Sequence, residues 1–161
     1  MKDALLLVDV FDRFEHEHGD ILAGSFQQRL PALLQLLDDA RQRGIPIVYA
    51  NDRHGRWHGN VDLFLSELGM GASTLAPTYQ DAFFFKDHYS AFDHTALELF
   101  LRERSIERLV LAGMTLEGCV TQTAIDAREH GLKVTVVAPA CASPGPNSPT
   151  RSDLRWPPRH V

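Results

Sequence analysis

Three residues suited to nucleophilic chemistry, Asp9, Lys86 and Cys119, each stand at or just past the end of a short apolar run. Cys119 follows the run Leu-Val-Leu-Ala-Gly113 after a short turn, where a new helical pattern begins. A thiol at a helix N-terminus sits near unpaired N–H groups and a partial positive charge, and both favour the thiolate. With a reference pKa of about 8.5, a free cysteine is only a few per cent thiolate at neutral pH. A neighbouring ammonium raises that fraction, and a carboxylate can accept the thiol proton and later return it to a leaving amine. The lysine would also keep such a carboxylate ionised. Spacing alone does not bring the three together. The competing reading is that Cys119 is a small core residue, since free cysteines are among the most buried side chains.

Several other cysteine chemistries fail on spacing. A phosphatase-type C-x5-R loop needs arginine at position 125, which is Ile125, and a C-x-x-C pair needs cysteine at 122, which is Gln122. His130 is eleven residues beyond Cys119, roughly 16 Å along a helix axis, too far to serve as its direct base. No G-x-G-x-x-G follows an apolar run, so a dinucleotide site has no support. Cys141 lies among small residues in Ala-Cys-Ala and is read as structural; His16 and His18 are read as solvated.

The elements that must position these residues alternate. Residues 4–10, 45–50, 82–86, 108–113 and 133–138 are short apolar runs of the kind buried on both faces of a parallel sheet. Between them lie helical patterns. One runs from Pro31, placed in a first turn, to Gly44 as C-cap, with Leu30, Leu33, Leu34, Leu37 and Ala40 on its inner face. A second, short one covers 62–68. A third opens on the capping-box spacing Thr95-Ala-Leu-Glu98, and a fourth runs from Cys119 to His130. This alternation predicts a three-layer α/β/α fold with a mostly parallel, doubly wound sheet, in which ligands bind at the carboxyl ends of the strands. Asp9, Asp52, Lys86 and the Cys119 turn all fall at those ends. The expected domain is 1–143, and 144–161, with its prolines and no periodicity, reads as an atypical extended tail.

With 161 residues the chain suits one domain, and a net charge of −5 without a basic cluster argues against nucleic acid or an anionic membrane as partner. The first apolar run is too short for a signal peptide and is interrupted by Asp9; no stretch approaches bilayer length. With only two cysteines, a cytoplasmic location is expected.

The chain resembles the isochorismatase-like cysteine hydrolases, a superfamily that includes nicotinamidases and N-carbamoyl amidohydrolases. The likeness runs from about Leu5 to Ser143. It rests on Leu-Leu-Val-Asp9, Tyr-Ala-Asn-Asp-Arg-His-Gly-Arg-Trp57, Phe-Lys86-Asp-His-Tyr-Ser-Ala-Phe92 and Gly-Met-Thr-Leu-Glu-Gly-Cys119-Val.

That resemblance implies a catalytic triad of Asp9, Lys86 and Cys119, with a thioester intermediate and release of ammonia or an amine. It implies a cis peptide at Met114-Thr115, an oxyanion hole from the backbone N–H groups of Thr115 and Cys119, and Phe14 and Trp57 at the substrate pocket. Relatives carry Asn-Asp-Phe after the first aspartate where this chain has Asp12-Arg13-Phe14. Asp52-x-His54 with His58 imitates the metal ligands of nicotinamidases. Relatives of other activity carry a similar stretch without a metal, so no metal or other cofactor is expected. The C-terminal helix and edge strand of relatives are replaced here by the proline-rich tail. The expected activity is hydrolysis of a small amide or carbamoyl compound by a homo-oligomer. The alternatives are vinyl-ether hydrolysis of the isochorismatase type and a silent member acting through interactions.

Overall fold

A computed structural model describes residues 1–145. It contains five parallel strands: β1 (Asp3–Val8), β2 (Ile47–Asp52), β3 (Ala82–Lys86), β4 (Arg108–Met114) and β5 (Lys133–Ala142), ordered β3-β2-β1-β4-β5. Four helices cover the sheet: α1 (Gly19–Gln42), α2 (Val61–Glu67), α3 (Leu97–Glu103) and α4 (Thr121–Glu129). The expected α/β sheet is therefore present. The tail expected over 144–161 falls, from 146 onward, outside the described residues.

β1 shows why its run is apolar throughout. Leu5 and Leu7 join the core beneath α1 and α2, while Ala4, Leu6 and Val8 join the core beneath α3 and α4. Strict alternation between two covered faces leaves no position for a polar side chain in the middle of the strand. At its N-terminal end Asp3 is buried against Arg108, whose Nε and Nη2 donate to it at 2.9 and 2.5 Å.

The chain winds outward from β1 in both directions, so β1 and β4 flank the point where strand order reverses. Ligand crevices form at such a switch point, beyond the carboxyl ends of the strands. Gly113 makes the β1–β4 approach possible. Its φ is +122°, and a Cβ there would lie 2.0 Å from the Val8 carbonyl oxygen.

Several expected boundaries are corrected. α1 begins at Gly19, so Pro31 lies inside it rather than in its first turn. Leu22, Phe26, Leu33 and Leu37 keep helical spacing across the proline and are buried. Pro31 itself faces solvent beside the exposed Gln27, whose freed carbonyl can bond water. Thr95 builds no capping box: α3 is capped at Ala96, and the Thr95 hydroxyl donates to the Ala91 carbonyl at 2.6 Å. β5 continues past 138 to Ala142 through a register shift against β4, and that irregularity accommodates Pro139. Cys141 thus lies inside the strand, fully buried, its thiol directed to the Val137 carbonyl at 3.3 Å. No helix among the described residues is long and apolar enough to cross a membrane.

Candidate active site

Asp9 leaves β1 with φ +51°, a left-handed conformation that aspartate tolerates better than most residues. Its backbone N–H still follows the strand ladder, donating to the Ala50 carbonyl at 2.9 Å. The turn frees its side chain to point across the strand ends. There Oδ1 accepts the Asp52 backbone N–H at 2.7 Å, and Oδ2 lies 3.0 Å from Lys86 Nζ.

Lys86 closes β3, two strands from β1, a separation of roughly 10 Å at ordinary strand spacing. Its long side chain spans the end of β2 and is 2% exposed. Besides Asp9, the ammonium meets the His88 carbonyl at 2.8 Å, the Tyr89 carbonyl at 3.4 Å and Cys119 Sγ at 3.5 Å. A buried ammonium is costly unless its donors are satisfied, and these acceptors satisfy it.

Cys119 is not at the start of a regular helix, as its sequence pattern suggested. It lies in an irregular turn, Leu116–Val120, broken at Gly118 (φ −108°, ψ −105°), and α4 begins only at Thr121. The Thr115 carbonyl closes this turn by accepting N–H groups from Gly118 at 3.2 Å and Val120 at 3.1 Å. The preceding Met114–Thr115 peptide is cis. Among the described residues the Thr115 N–H donates to nothing, so a donor lies one turn away from the thiol.

The electrostatics differ from a thiol poised as thiolate. Burial, and then the charge of Asp9, push the Cys119 thiol up to about 12, against the opposing pull of Lys86. Burial also raises Asp9, although Lys86 and the Asp52 N–H act to lower it. Lys86 is held above its ordinary range because Asp9 and then Cys119 outweigh its burial. Burial and the mutual charges of Asp9 and Cys119 thus favour the protonated thiol, while the charge of Asp9 favours the cationic lysine. Such a site can pass the thiol proton to a base already in contact with it.

The other expected residues are distributed differently. Phe14 is half-buried and packs on Phe26 of α1, ring centroids 5.8 Å apart. Trp57 is 77% exposed, with the Arg53 guanidinium 4.5 Å from its ring. Asp52, His54 and His58 do not form a metal triad. His54 Nε2 contacts the Phe11 carbonyl at 2.9 Å, while His58 Nε2 pairs with Glu67 at 3.1 Å on α2. Among the described residues no group of three His, Cys, Asp or Glu side chains could hold a metal ion. Arg13 is exposed and pairs with Glu15 at 2.8 Å.

Sequence reasoning missed three contributors. The Asp52 backbone N–H holds Asp9. Asn51, 1% exposed, bonds the backbone of Phe11. Arg53 grips Asp87, next to Lys86, with Nε at 2.5 Å and Nη2 at 3.1 Å. Backbone donors leave no residue-type signal. Asn51 and Arg53 lay in a motif whose side-chain directions only the β1–β2–β3 order defines.

A parallel five-stranded sheet thus gathers an aspartate, a lysine and a cysteine at its switch point, and sequence comparison supplies the family. Residues 3–154 match the Isochorismatase domain, and the chain belongs to that family of hydrolases. It is 33% identical over 145 residues to the uncharacterised isochorismatase family protein YaaI of Bacillus subtilis (strain 168), covering 87% of this chain and 80% of that protein. It is 25% identical over 166 residues to the maleamate amidohydrolase of Pseudomonas putida, covering 95% of this chain and 78% of the relative. Among solved structures, the N-carbamoylsarcosine amidase from Thermoplasma acidophilum superposes with a TM-score of 0.71 at 26% identity, covering 89% of this chain and 85% of that one.

Proposed function

We propose that this hydrolase cleaves the C–N bond of a small amide or carbamoyl compound through a thioester on Cys119. The observation that carries the reading is Lys86 Nζ, 3.0 Å from the Asp9 carboxylate and 3.5 Å from the Cys119 sulfur in one buried cluster. The names of two similar proteins, maleamate amidohydrolase and N-carbamoylsarcosine amidase, support the bond type.

The steps start from a protonated thiol beside the Asp9 carboxylate. As the sulfur attacks the substrate carbonyl, its proton passes to Asp9, and the new C–S bond places negative charge on the carbonyl oxygen. The backbone N–H groups of Thr115 and Cys119 receive that charge; one such donor is worth about 10²-fold or more in rate. Collapse of the tetrahedral intermediate breaks the C–N bond, and the proton on Asp9 moves to the departing nitrogen. Asp9, ionised again, then takes a proton from water as the water oxygen attacks the thioester; the C–S bond breaks to release the acid, and Asp9 returns that proton to the sulfur. Lys86 remains protonated throughout and lowers the cost of negative charge on whichever partner carries it.

The test is ammonia release from a panel of small carboxamides and carbamoyl compounds. A substrate hydrolysed by the wild-type chain is expected to be lost on Cys119→Ala, by about 10⁴-fold or more. Full turnover by that variant would overturn the thioester.

A further inference from the structure

We infer that Asn51 is a positioning residue for Asp9: its side-chain amide locks the segment after β1 to the end of β2, which fixes the Asp52 N–H against the Asp9 carboxylate. The inference rests on the reading of Asp9 as the proton carrier.

The parallel ladder between β1 and β2 ends where Asp9 turns into its left-handed conformation. Beyond that point the Phe11 N–H and carbonyl have no strand to pair with. A carboxamide offers one acceptor and one donating group in the same plane, matched to a backbone pair. Asn51 supplies both: its Oδ1 accepts the Phe11 N–H at 3.0 Å, and its Nδ2 donates to the Phe11 carbonyl at 3.0 Å. The same Nδ2 also meets the Asp52 carbonyl at 3.0 Å. His54 Nε2 adds a second donor to the Phe11 carbonyl at 2.9 Å.

The Phe11 ring anchors the other side, stacked 5.7 Å from Tyr49 and 6.3 Å from Phe83. Asp9 is thus caught between two fixed points. Its backbone is tied to Ala50 on one side of Asn51, and its Oδ1 is tied to Asp52 on the other. With Oδ1 fixed, the carboxylate cannot rotate away from Lys86 and Cys119. Those two residues and the Asp52 N–H are the groups that bear on Asp9 electrostatically. If the amide is lost, the two segments separate and the Asp52 N–H moves off Oδ1. One backbone donor to a carboxylate is worth about one pH unit in its ionisation.

The readout is the pH dependence of Cys119 alkylation by iodoacetamide, followed by peptide mass spectrometry, which requires no substrate. Asn51→Ala and the milder Asn51→Ser, whose hydroxyl is too short to reach Phe11, are compared with wild type and with Phe11→Leu. The last variant loses ring packing but keeps the backbone rungs. In the Asn51 variants the acid limb is expected to move up by about one pH unit. In Phe11→Leu it stays in place while the melting temperature falls. An unmoved limb in folded Asn51 variants would make Asn51 merely structural, and failure of both to fold would equally overturn a positioning role. A wild-type profile with no acid limb would instead sink the proposed function and leave the tie between Asn51 and Phe11 as a feature of the fold.

Discussion

Lys86 Nζ lies 3.0 Å from Asp9 Oδ2, inside a cluster where the lysine is 2% exposed. Neither partner tolerates burial alone, because the ionic form of each is stabilised by the other. Lys86→Met keeps the length of the side chain and removes its charge. Asp9 then loses the main influence that holds its ionisation down against burial. Turnover is expected to fall by about 10³-fold or more, since the carboxylate becomes protonated and can no longer take the thiol proton. Denaturant melts should show a loss of about 3 kcal/mol above neutral pH, where the unfolded chain ionises Asp9 and the unpartnered native site resists doing so, and a smaller loss in acid. Equal losses at both pH values would contradict the pairing.

Gly113 lies near the end of β4, against Val8 of β1. A methyl group there would meet the Val8 carbonyl at 2.0 Å and adopt φ +122°. Gly113→Ala therefore has two costs at once, a clash with backbone and a disfavoured dihedral, and is expected to destabilise by about 3 kcal/mol or more. The check is urea unfolding. A change below 1 kcal/mol would mean, in round terms, that β1 and β4 have room to move about each other.

Burial, opposed by a hydrogen bond to Gly113 and by the charge of Arg29, pushes the Cys141 thiol up to about 12. The unfolded chain leaves the same thiol at its ordinary value, well below that. The native state therefore retains a proton that the unfolded state has lost. The stabilisation is fully present below the unfolded pKa and drains as pH rises toward the folded one, by about 1.4 kcal/mol per pH unit. Cys141→Ala should flatten the stability profile between pH 9 and 12 by about that slope, read from urea melts. Identical slopes would show that Cys141 ionises freely in the folded chain.

His54 and His58 are directed to Phe11 and Glu67, and Asp52 uses its backbone N–H on Asp9. Exhaustive dialysis against EDTA is expected to leave turnover unchanged within about twofold, and His58→Ala likewise. A large loss restored by a divalent cation would reassign these histidines.

Much of this was legible in the sequence, for physical reasons. Apolar runs buried on both faces leave no alternation to misread, so Asp3–Val8 and Arg108–Met114 stand out as strands, and polar residues at their ends mark the site. Helix starts were harder. Pro31 reads as a first turn because propensity weighs local cost, whereas the fold accepts an exposed proline to keep the Leu22–Phe26–Leu33 stripe continuous. The burial of Cys119 has no counterpart in its local sequence. The ammonium of Lys86 favours thiolate, while burial and the adjacent Asp9 charge act against it. The Asp52 N–H and the reach of Asn51 depend on strand order, which no local pattern encodes.

On the proposed mechanism Asp9 takes the proton of Cys119 within the site. Cys141 is fully buried, so preferential alkylation of Cys119 would follow from exposure alone. The shape of the pH profile does not. If the proton is shared, thiolate and protonated Asp9 form a tautomer whose fraction is independent of pH. Wild-type alkylation of Cys119 by iodoacetamide should then be flat from about pH 6.5 to 8.5. In Asp9→Asn the negative charge that raises the thiol is gone, and the thiolate can form only by losing its proton to solvent. Alkylation there should climb about tenfold per pH unit and overtake wild type, while hydrolysis is lost. Two superimposed profiles, both climbing tenfold per unit, would contradict the account.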